Sequence, residues 1–167
     1  MRRIEVRVAG STDRPVVERL WLLFRHDMSE FTGELPGVGG EFRRERLDAV
    51  LRGEPGWVAF LVLSGGLPVG FAFVRGADGP VRVMNSFFVV RGARRDGVGL
   101  RAVREVVGRF PGAWEVAFQK ENAGAAAFWR RVAADICGGG GWREERRPVP
   151  GRPGLPPDNW ISLSAGA

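Results

Sequence analysis

Several residue types that build reactive sites are rare or missing in this chain. Tyr is absent, and the 167 residues include one Cys (Cys137), one His (His26) and one Lys (Lys120). One Cys cannot form an intrachain disulfide, and such a set excludes a Cys/His zinc cluster and a multi-His metal site. We therefore expect no disulfide and no bound metal. The missing Tyr also removes a common proton donor.

Long apolar runs are missing as well. The longest clearly apolar run covers residues 57–63, far short of the ~20 residues that span a bilayer. Arg2 and Arg3 precede no apolar segment, so we expect no signal peptide and a cytoplasmic protein. The length and an ordinary composition, with 44% hydrophobic and 26% charged residues, predict one domain over residues 1–167.

The charge of the chain is biased toward arginine. The net charge is +6, which fits either a general compositional bias or an anionic partner: nucleic acid, a membrane surface or a phosphate-bearing cofactor. Its distribution is more informative. Residues 82–109 hold seven Arg and two acids, whereas residues 26–54 hold seven acids and four Arg. The first segment predicts an anion site, and the second favours a cationic ligand.

Hydrophobic periodicity and turn residues predict the element order β-α-α-β-β-β-α-β-α-β-β. Strands are expected at residues 4–8, 57–63, 67–74, 81–90, 114–118, 142–147 and 160–163. Helices are expected at residues 16–28, 42–51, 97–110 and 122–132. This order indicates an α/β chain built on a mixed sheet.

Residues 83–107 carry the most informative pattern. A predicted strand ends at Val90, a loop with three arginines follows, and Gly97 and Gly99 open a helix. Unpaired N–H groups and the helix dipole attract anions to a helix N-terminus, and glycine lets a phosphate approach the backbone. No Lys-Ser or Lys-Thr follows, which excludes a P-loop. A dinucleotide site with Glu121 as the ribose partner is an alternative, but its turn would follow the strand more tightly.

Two motifs together resemble the GNAT superfamily of N-acetyltransferases. Residues 94–99 are similar to its R/Q-x-x-G-x-G/A motif, which holds the pyrophosphate of acetyl-CoA. Asn122, Ala125, Phe128 and Trp129 are similar to its N-x-x-A-x-x-F-[YW] motif on the helix after the fifth strand. The stretches HDMSEF, FPGAWEV and AFWRRV further resemble a bacterial group of predicted acetyltransferases. The resemblance implies a mixed, mostly antiparallel sheet of about seven strands, with flanking helices and a split between the fourth and fifth strands.

The resemblance also implies where acetyl-CoA would bind. Pantetheine would lie between the splayed strands, and the backbone amide of Phe88, Val89 or Val90 would contact the thioester oxygen and stabilise its developing charge. Asn122 would form a hydrogen bond with the pantetheine or serve only as a helix cap. Phe128 would line the pantetheine arm or contribute only to the packing of the helix on the sheet. The pyrophosphate loop would consist of Arg94, Arg95, Asp96, Gly97, Val98 and Gly99.

The acid and base of the reaction must be sought among few groups. Many members of the family have a Tyr acid where this chain has Trp129, and an indole N–H is not an acid near neutral pH. A thiolate with a pKa of ~8.5 leaves without an obligatory acid. The acceptor amine must lose a proton before it attacks, so a carboxylate base is expected: Glu30, Glu115 or Asp27. Capping, solvated or salt-bridged roles are the alternatives for these three.

The resemblance implies an N-acetyltransferase that moves an acetyl group from acetyl-CoA to a primary amine by direct attack in a ternary complex, without a metal. The acceptor is expected to be a small molecule or a Lys side chain, and the acidic segment favours a cationic one. We expect a monomer or homodimer with no nucleic-acid or membrane partner. A non-catalytic acyl-CoA-binding module, favoured by the missing Tyr, and a nucleic-acid-binding protein, favoured by the charge, are the alternatives.

Overall fold

Seven strands form one mixed sheet in the computed structural model, which describes residues 1–166. The strands are β1 (Ile4–Val8), β2 (Val58–Ser64), β3 (Leu67–Arg75), β4 (Val81–Val89), β5 (Gly112–Phe118), β6 (Trp142–Arg147) and β7 (Asp158–Ala165). Their spatial order is β1-β2-β3-β4-β5-β7-β6, and β4–β5 is the parallel pair in this otherwise antiparallel sheet. The expected mostly antiparallel sheet is confirmed.

Four α-helices flank this sheet within residues 1–166: α1 (Arg14–Thr32), α2 (Glu45–Leu51), α3 (Val98–Gly108) and α4 (Ala123–Cys137). The predicted order of elements is confirmed, although α2 starts three residues later and β7 two residues earlier than expected. None of the helices in this part of the chain has both the length and the apolar composition needed to cross a membrane.

The helices divide between the two faces of the sheet, and each face has its own core. Leu20 and Phe24 of α1 and Leu47 of α2 pack against Phe71 and Phe73 of β3. The second core lies under α3 and α4 and includes Val103, Val106, Trp129, Val132, Val116 and Ile161. Apolar residues at three- and four-residue spacing give each helix one buried stripe, which fixes the side that faces the sheet.

The strands β5 and β7 carry polar side chains on the face of α1 and α2. Trp114 and Val116 of β5, and Ile161 of β7, belong to the core under α3 and α4. Because successive strand residues point to opposite faces, Glu115 and Asp158 point toward the other face of the sheet. That face therefore combines an aromatic core under α1 with charged groups beyond β4.

The strands β4 and β5 separate soon after they begin. In the described chain, residues 81–83 pair with residues 113–115, and no pair follows although β4 continues to Val89. Meanwhile β5 stays paired with β7 over its whole length. The expected split between the fourth and fifth strands is confirmed, and it creates an opening between the two halves of the sheet.

Candidate active site

A cleft of about 720 Å³ lies beside the part of β4 that has left β5. Its walls come from the end of α1, the last residues of β4, the segment between β4 and α3, and one face of α4. Such a volume is usual for a small-molecule site. The predicted cofactor residues that line it are Phe88, Val89, Arg94, Arg95, Gly97, Gly99, Asn122 and Phe128.

Three predicted cofactor residues do not line the cleft with their side chains. Val98 is 3% exposed and packs in the core, and Asp96 is exposed on the outside of the loop. The N–H of Val90 donates to the carbonyl of Val69 at 2.8 Å. The structure therefore leaves Val98 a backbone role only, and it does not leave the amide of Val90 free for a thioester.

The segment between β4 and α3 has the geometry of an anion site. Arg91–Asp96 forms a short 3-10 helix, and Gly97, with φ of 71°, is the left-handed residue from which α3 starts. A Cβ at position 97 would meet no atom within 4 Å, so glycine is favoured there by its backbone conformation and not by crowding. The first N–H groups of α3 have no partner inside the helix and are open to an anion.

Close packing explains the second glycine of the motif. A Cβ on Gly99 would lie 3.1 Å from the ring of Phe128. That ring is stacked on Phe87, with centroids 5.7 Å apart and an interplanar angle of 4°. Trp129 meets both rings edge-on, at centroid distances of 5.6 and 4.9 Å. Together the three rings, which we call the aromatic wall, form one side of the cleft.

Asn122 caps α4 and also lines the cleft. Its side-chain oxygen accepts the N–H of Ala125 at 3.0 Å. An Asn side chain has two N–H donors besides this oxygen, so capping leaves donors for a ligand. The two interpretations of Asn122 made from the sequence are therefore compatible.

Asp27, one of the predicted bases, is bound to the basic loop. Its Oδ1 accepts Nε and Nη2 of Arg91 at 3.0 and 2.9 Å, and its Oδ2 pairs with Arg94. Arg94 also donates from Nε to the carbonyl of Val89 at 2.8 Å. Both carboxylate oxygens of Asp27 are engaged, so it links α1 to the loop at the end of β4.

Glu115, the second predicted base, is held in a bidentate ion pair. Arg147 of β6 donates to its two oxygens at 2.8 and 3.2 Å, and the same guanidinium lies 4.9 Å above Trp160. Hydrogen bonds from Arg147 to Glu115 and Glu145 raise the pKa of that arginine. The structure does not bring Glu115 onto the lining of the cleft.

Glu30, the third predicted base, lies on the cleft wall at the last turn of α1. Its side chain is exposed, and no hydrogen bond to it is recorded among residues 1–166. α1 runs in the same direction as β4 here, since Phe24 meets Phe88 and Asp27 meets Arg91. Glu30 therefore lies toward the loop end of the cleft.

Sequence reasoning missed Asp158, the first residue of β7. Burial raises the pKa of its carboxyl, the charge of Arg46 lowers it, and the charge of Glu121 raises it further. Its neighbour Asn159 pairs with Phe118, the last residue of β5, which places Asp158 beside the open part of the split. A signal was present in the sequence: Asp158 follows a proline-rich segment and begins a strand in which it points to the face opposite to the buried Asn159 and Ile161.

Comparison with solved structures gives the fold. No protein-family model and no curated protein sequence matches the chain. It is similar to an acetyltransferase of the GNAT family from Staphylococcus aureus Mu50 (13% identity, TM-score 0.67, 97% of this chain and 99% of that chain). It is also similar to the PaiA N-acetyltransferase from Thermoplasma acidophilum in complex with coenzyme A (10% identity, TM-score 0.69, 97% and 99%).

A third similar structure has a named acceptor class. This is the aminoglycoside acetyltransferase AAC(6')-Ib in complex with coenzyme A (14% identity, TM-score 0.69, 97% of this chain and 95% of that chain). Over nearly its full length, then, the chain has the fold of the GNAT-family acetyltransferases. The resemblance indicated by the two sequence motifs is confirmed at the level of the fold.

Proposed function

We propose that this protein, a chain with the GNAT fold, transfers an acetyl group from acetyl-CoA to a primary amine. The observation that carries the proposal is one continuous cleft that runs from the arginine-rich segment after β4 along the part of β4 that has separated from β5. Two structures of similar fold contain coenzyme A, which supports the same co-substrate here. No step of the reaction requires a metal ion.

The residues present fit a phosphate-bearing thioester. Arg94 and Arg95 and the backbone of residues 97–99 would hold the pyrophosphate, because a guanidinium and a helix N-terminus both bind phosphate oxygens. The aromatic wall would line the pantetheine arm. The close approach of Gly99 to Phe128 keeps that wall against the start of α3.

Val89 is the residue whose amide would contact the thioester oxygen. The N–H of Val90 points to β3, since it donates to the carbonyl of Val69. In an antiparallel ladder, the N–H groups of alternate residues point to the same side. The N–H of Phe88 therefore also points to β3, and that of Val89 points into the split. A donor aimed at the carbonyl oxygen stabilises the negative charge that develops there.

The reaction then proceeds by direct attack in a ternary complex. The amine gives a proton to a carboxylate, its nitrogen bonds to the thioester carbon, and the C–S bond breaks to release the CoA thiolate. Two carboxylates without a recorded ion pair among residues 1–166 are the candidate bases: Glu30 on the cleft wall, and Asp158 beside the open part of the split. Solvent protonates the thiolate, because Trp129 has no proton to give near neutral pH.

A non-catalytic acyl-CoA-binding module is the second proposal, and it is favoured by Trp129 in the place of an acid. CoA release measured with acetyl-CoA and a panel of primary amines separates the two. Turnover supports the enzyme, whereas CoA binding without turnover supports the module. A single domain, a cytoplasmic location and a monomeric or homodimeric state stay predictions.

Arg94→Glu provides the internal test, with Arg19→Glu on the exposed side of α1 as its matched control. Both variants reverse one charge, but only the first lies on the cleft. Loss of CoA binding in Arg94→Glu alone supports the phosphate site. Equal CoA affinity in the two variants, measured by calorimetry, contradicts it.

A further inference from the structure

One arginine at the apex of the split lies outside the loop of residues 94–99, which is proposed to bind the pyrophosphate and which we call the phosphate loop. Arg46 extends from α2 toward β4, where its Nη1 lies 3.5 Å from the carbonyl oxygen of Asn85. The register between β3 and β4 shifts at Asn85, which makes it the extra residue of a β-bulge. Asn85 comes two residues after Val83, the last β4 residue paired with β5. Arg46 therefore lies where the two strands part.

Arg46 is distant from the phosphate loop. From Asn85 to Arg91 the chain extends for six residues, which corresponds to ~20 Å along a strand. A pyrophosphate held at the loop is thus out of reach of Arg46. The acyl end of the pantetheine arm, by contrast, would point toward this apex. Arg46 belongs to the acceptor side of the site.

The positive charge of Arg46 is not balanced by an ion pair. Burial lowers its pKa most, Arg43 and Arg75 lower it further, and Asp158 and Glu45 act in the opposite direction. Within residues 1–166, no carboxylate oxygen is recorded within 4.0 Å of its guanidinium. The side chain is exposed to water, so its guanidinium is accessible to a ligand.

The acids of residues 26–54 do not supply the missing counter-charge. Asp27 binds the basic loop, and Glu34, Glu45, Asp48 and Glu54 each pair with a nearby arginine. The acidic segment that favoured a cationic acceptor is thus largely neutralised by internal ion pairs. Arg46 is a charge that lies at the apex of the split without an ion pair to any of them.

Asp158 provides the opposite charge across the split. It points to the same face of the sheet as α2, beyond the end of β5. Arg46 and Asp158 therefore lie on the same side of the sheet, and each charge shifts the pKa of the other. In the described part of the chain, no hydrogen bond to the carboxylate of Asp158 is recorded.

We propose that the acceptor is a small amino carboxylate whose carboxylate is bound by Arg46 and whose amine faces Asp158. This inference rests on the proposed acetyltransferase function and names its acceptor class. A guanidinium binds a carboxylate through two parallel N–H···O bonds, which orients the acceptor as well as attracting it. The opposite charge of Asp158 draws the ammonium group toward the thioester.

The chemical step keeps atoms and charge in balance. Asp158 takes one proton from the ammonium group, the nitrogen attacks the thioester carbon, and the thiolate of CoA leaves as the C–S bond breaks. The second nitrogen proton passes to solvent as the amide forms. The charged groups that face Asp158 are Arg46 of α2, Glu121 after β5 and, by register, Arg147 of β6. The product is an N-acetylated amino carboxylate.

A matched substrate panel tests the acceptor class. We would measure CoA release with the standard amino acids, their carboxamides and the amines that lack the carboxylate altogether. The best amino acid should exceed its carboxamide at least about tenfold in kcat/KM, because a hydrogen-bonded ion pair is lost with the carboxylate. A preference for carboxamides or plain amines, or no turnover of any amino acid, overturns the inference.

Variants then assign the preference to Arg46. Arg46→Gln should reduce the ratio of kcat/KM between an amino acid and its carboxamide to about one and leave CoA affinity unchanged. Arg46→Lys should keep part of this preference for the carboxylate. Arg52→Gln, an exposed arginine that follows α2, is the matched control and should keep the whole preference. Thermal melting shows whether each variant is folded. If Arg46→Gln does not fold, the carboxylate preference of Arg46→Lys is compared with that of the wild type instead. An undiminished preference in Arg46→Gln overturns the assignment.

The same measurements distinguish this inference from the proposed function. Turnover of neutral or cationic amines alone would refute the acceptor class and support the transferase. Absence of CoA binding would refute both. Asp158→Asn should abolish the acidic limb of the kcat/KM profile, and that limb should lie above the usual carboxyl range because burial raises the pKa of Asp158. An unchanged profile in Asp158→Asn would refute its role as the base.

Discussion

Gly97→Glu tests the anion site at the residue where charge and fold can be separated most cleanly. Gly97 has φ of 71°, and a Cβ there meets no atom within 4 Å. Any other L-residue at this position is strained by about 1–2 kcal/mol, but it does not clash. Gly97→Ala introduces the same strain without charge and is the matched control. The Glu charge at the start of α3 should stabilise the folded state by about 0.3–1 kcal/mol through the helix dipole. Gly97→Glu should therefore melt at no lower a temperature than Gly97→Ala.

The effect on CoA binding should be of a different size. At ~6 Å, two unit charges repel by roughly 0.7 kcal/mol in water and 3 kcal/mol near a protein surface. A pyrophosphate carries more than one charge, so CoA affinity should fall at least about tenfold beyond the loss seen in Gly97→Ala. Calorimetry measures both affinities. The difference in CoA affinity between the two variants should become smaller as the salt concentration is raised, because ions screen exposed charges.

Two results would refute this reasoning. Equal CoA affinity in Gly97→Glu and Gly97→Ala would show that no phosphate lies near position 97. A difference in affinity that does not change with salt concentration would show that the volume of the Glu side chain, and not its charge, displaces the ligand. The first result would require the anion site to be sought elsewhere on the basic segment, whereas the second would place an uncharged part of CoA at position 97.

Three further predictions concern the cleft. Trp129→Phe should keep most of the turnover and lower the free energy of unfolding by about 1–2 kcal/mol, because the wall loses volume; a large fall in kcat with unchanged melting temperature and CoA affinity would show a direct role of the indole. Glu30→Gln should keep most of the turnover and the acidic limb of the rate profile, because Glu30 lies toward the loop end of the cleft and Asp158 is the proposed base; a large fall in kcat with loss of that limb would make Glu30 the base instead. Gly99→Ala should weaken CoA binding severalfold, because its Cβ would lie 3.1 Å from the ring of Phe128; wild-type affinity by calorimetry would show that the ring moves aside without closing the cleft.

Local patterns in the sequence predict the scaffold well. The order of elements follows from apolar periodicity and from glycine and proline at the ends of elements, whereas the split of the sheet is what the resemblance of the two motifs to the GNAT superfamily implies. Glycine at position 97 is expected for the close approach of a phosphate, and the structure shows that a left-handed backbone conformation also favours it. The order of elements and the two motifs each depend on residues close together in the chain, which is the range over which periodicity carries information.

The state of the carboxylates could not be predicted in this way. Asp27 meets Arg91 across 64 positions, and Glu115 meets Arg147 across 32. Such pairings depend on which strands become neighbours, so no local pattern reveals which acids are neutralised. Arg46 was counted only as one charge of an acidic segment for the same reason. Its position at the bulge of β4 appears only when the strands are paired.

The ion pairs of Asp27 also bear on how the two ends of the cleft cooperate. Arg94 uses Nε for the carbonyl of Val89 and one terminal nitrogen for Asp27, and a guanidinium has five N–H donors. Donors therefore remain for a phosphate while the arginine stays fixed to both β4 and α1. Since Val89 is also the residue proposed to contact the thioester, a phosphate bound at the loop would steady the strand that polarises the acyl group. We expect Asp27 to act in this arrangement as a positioning residue, because both its oxygens already accept from arginine.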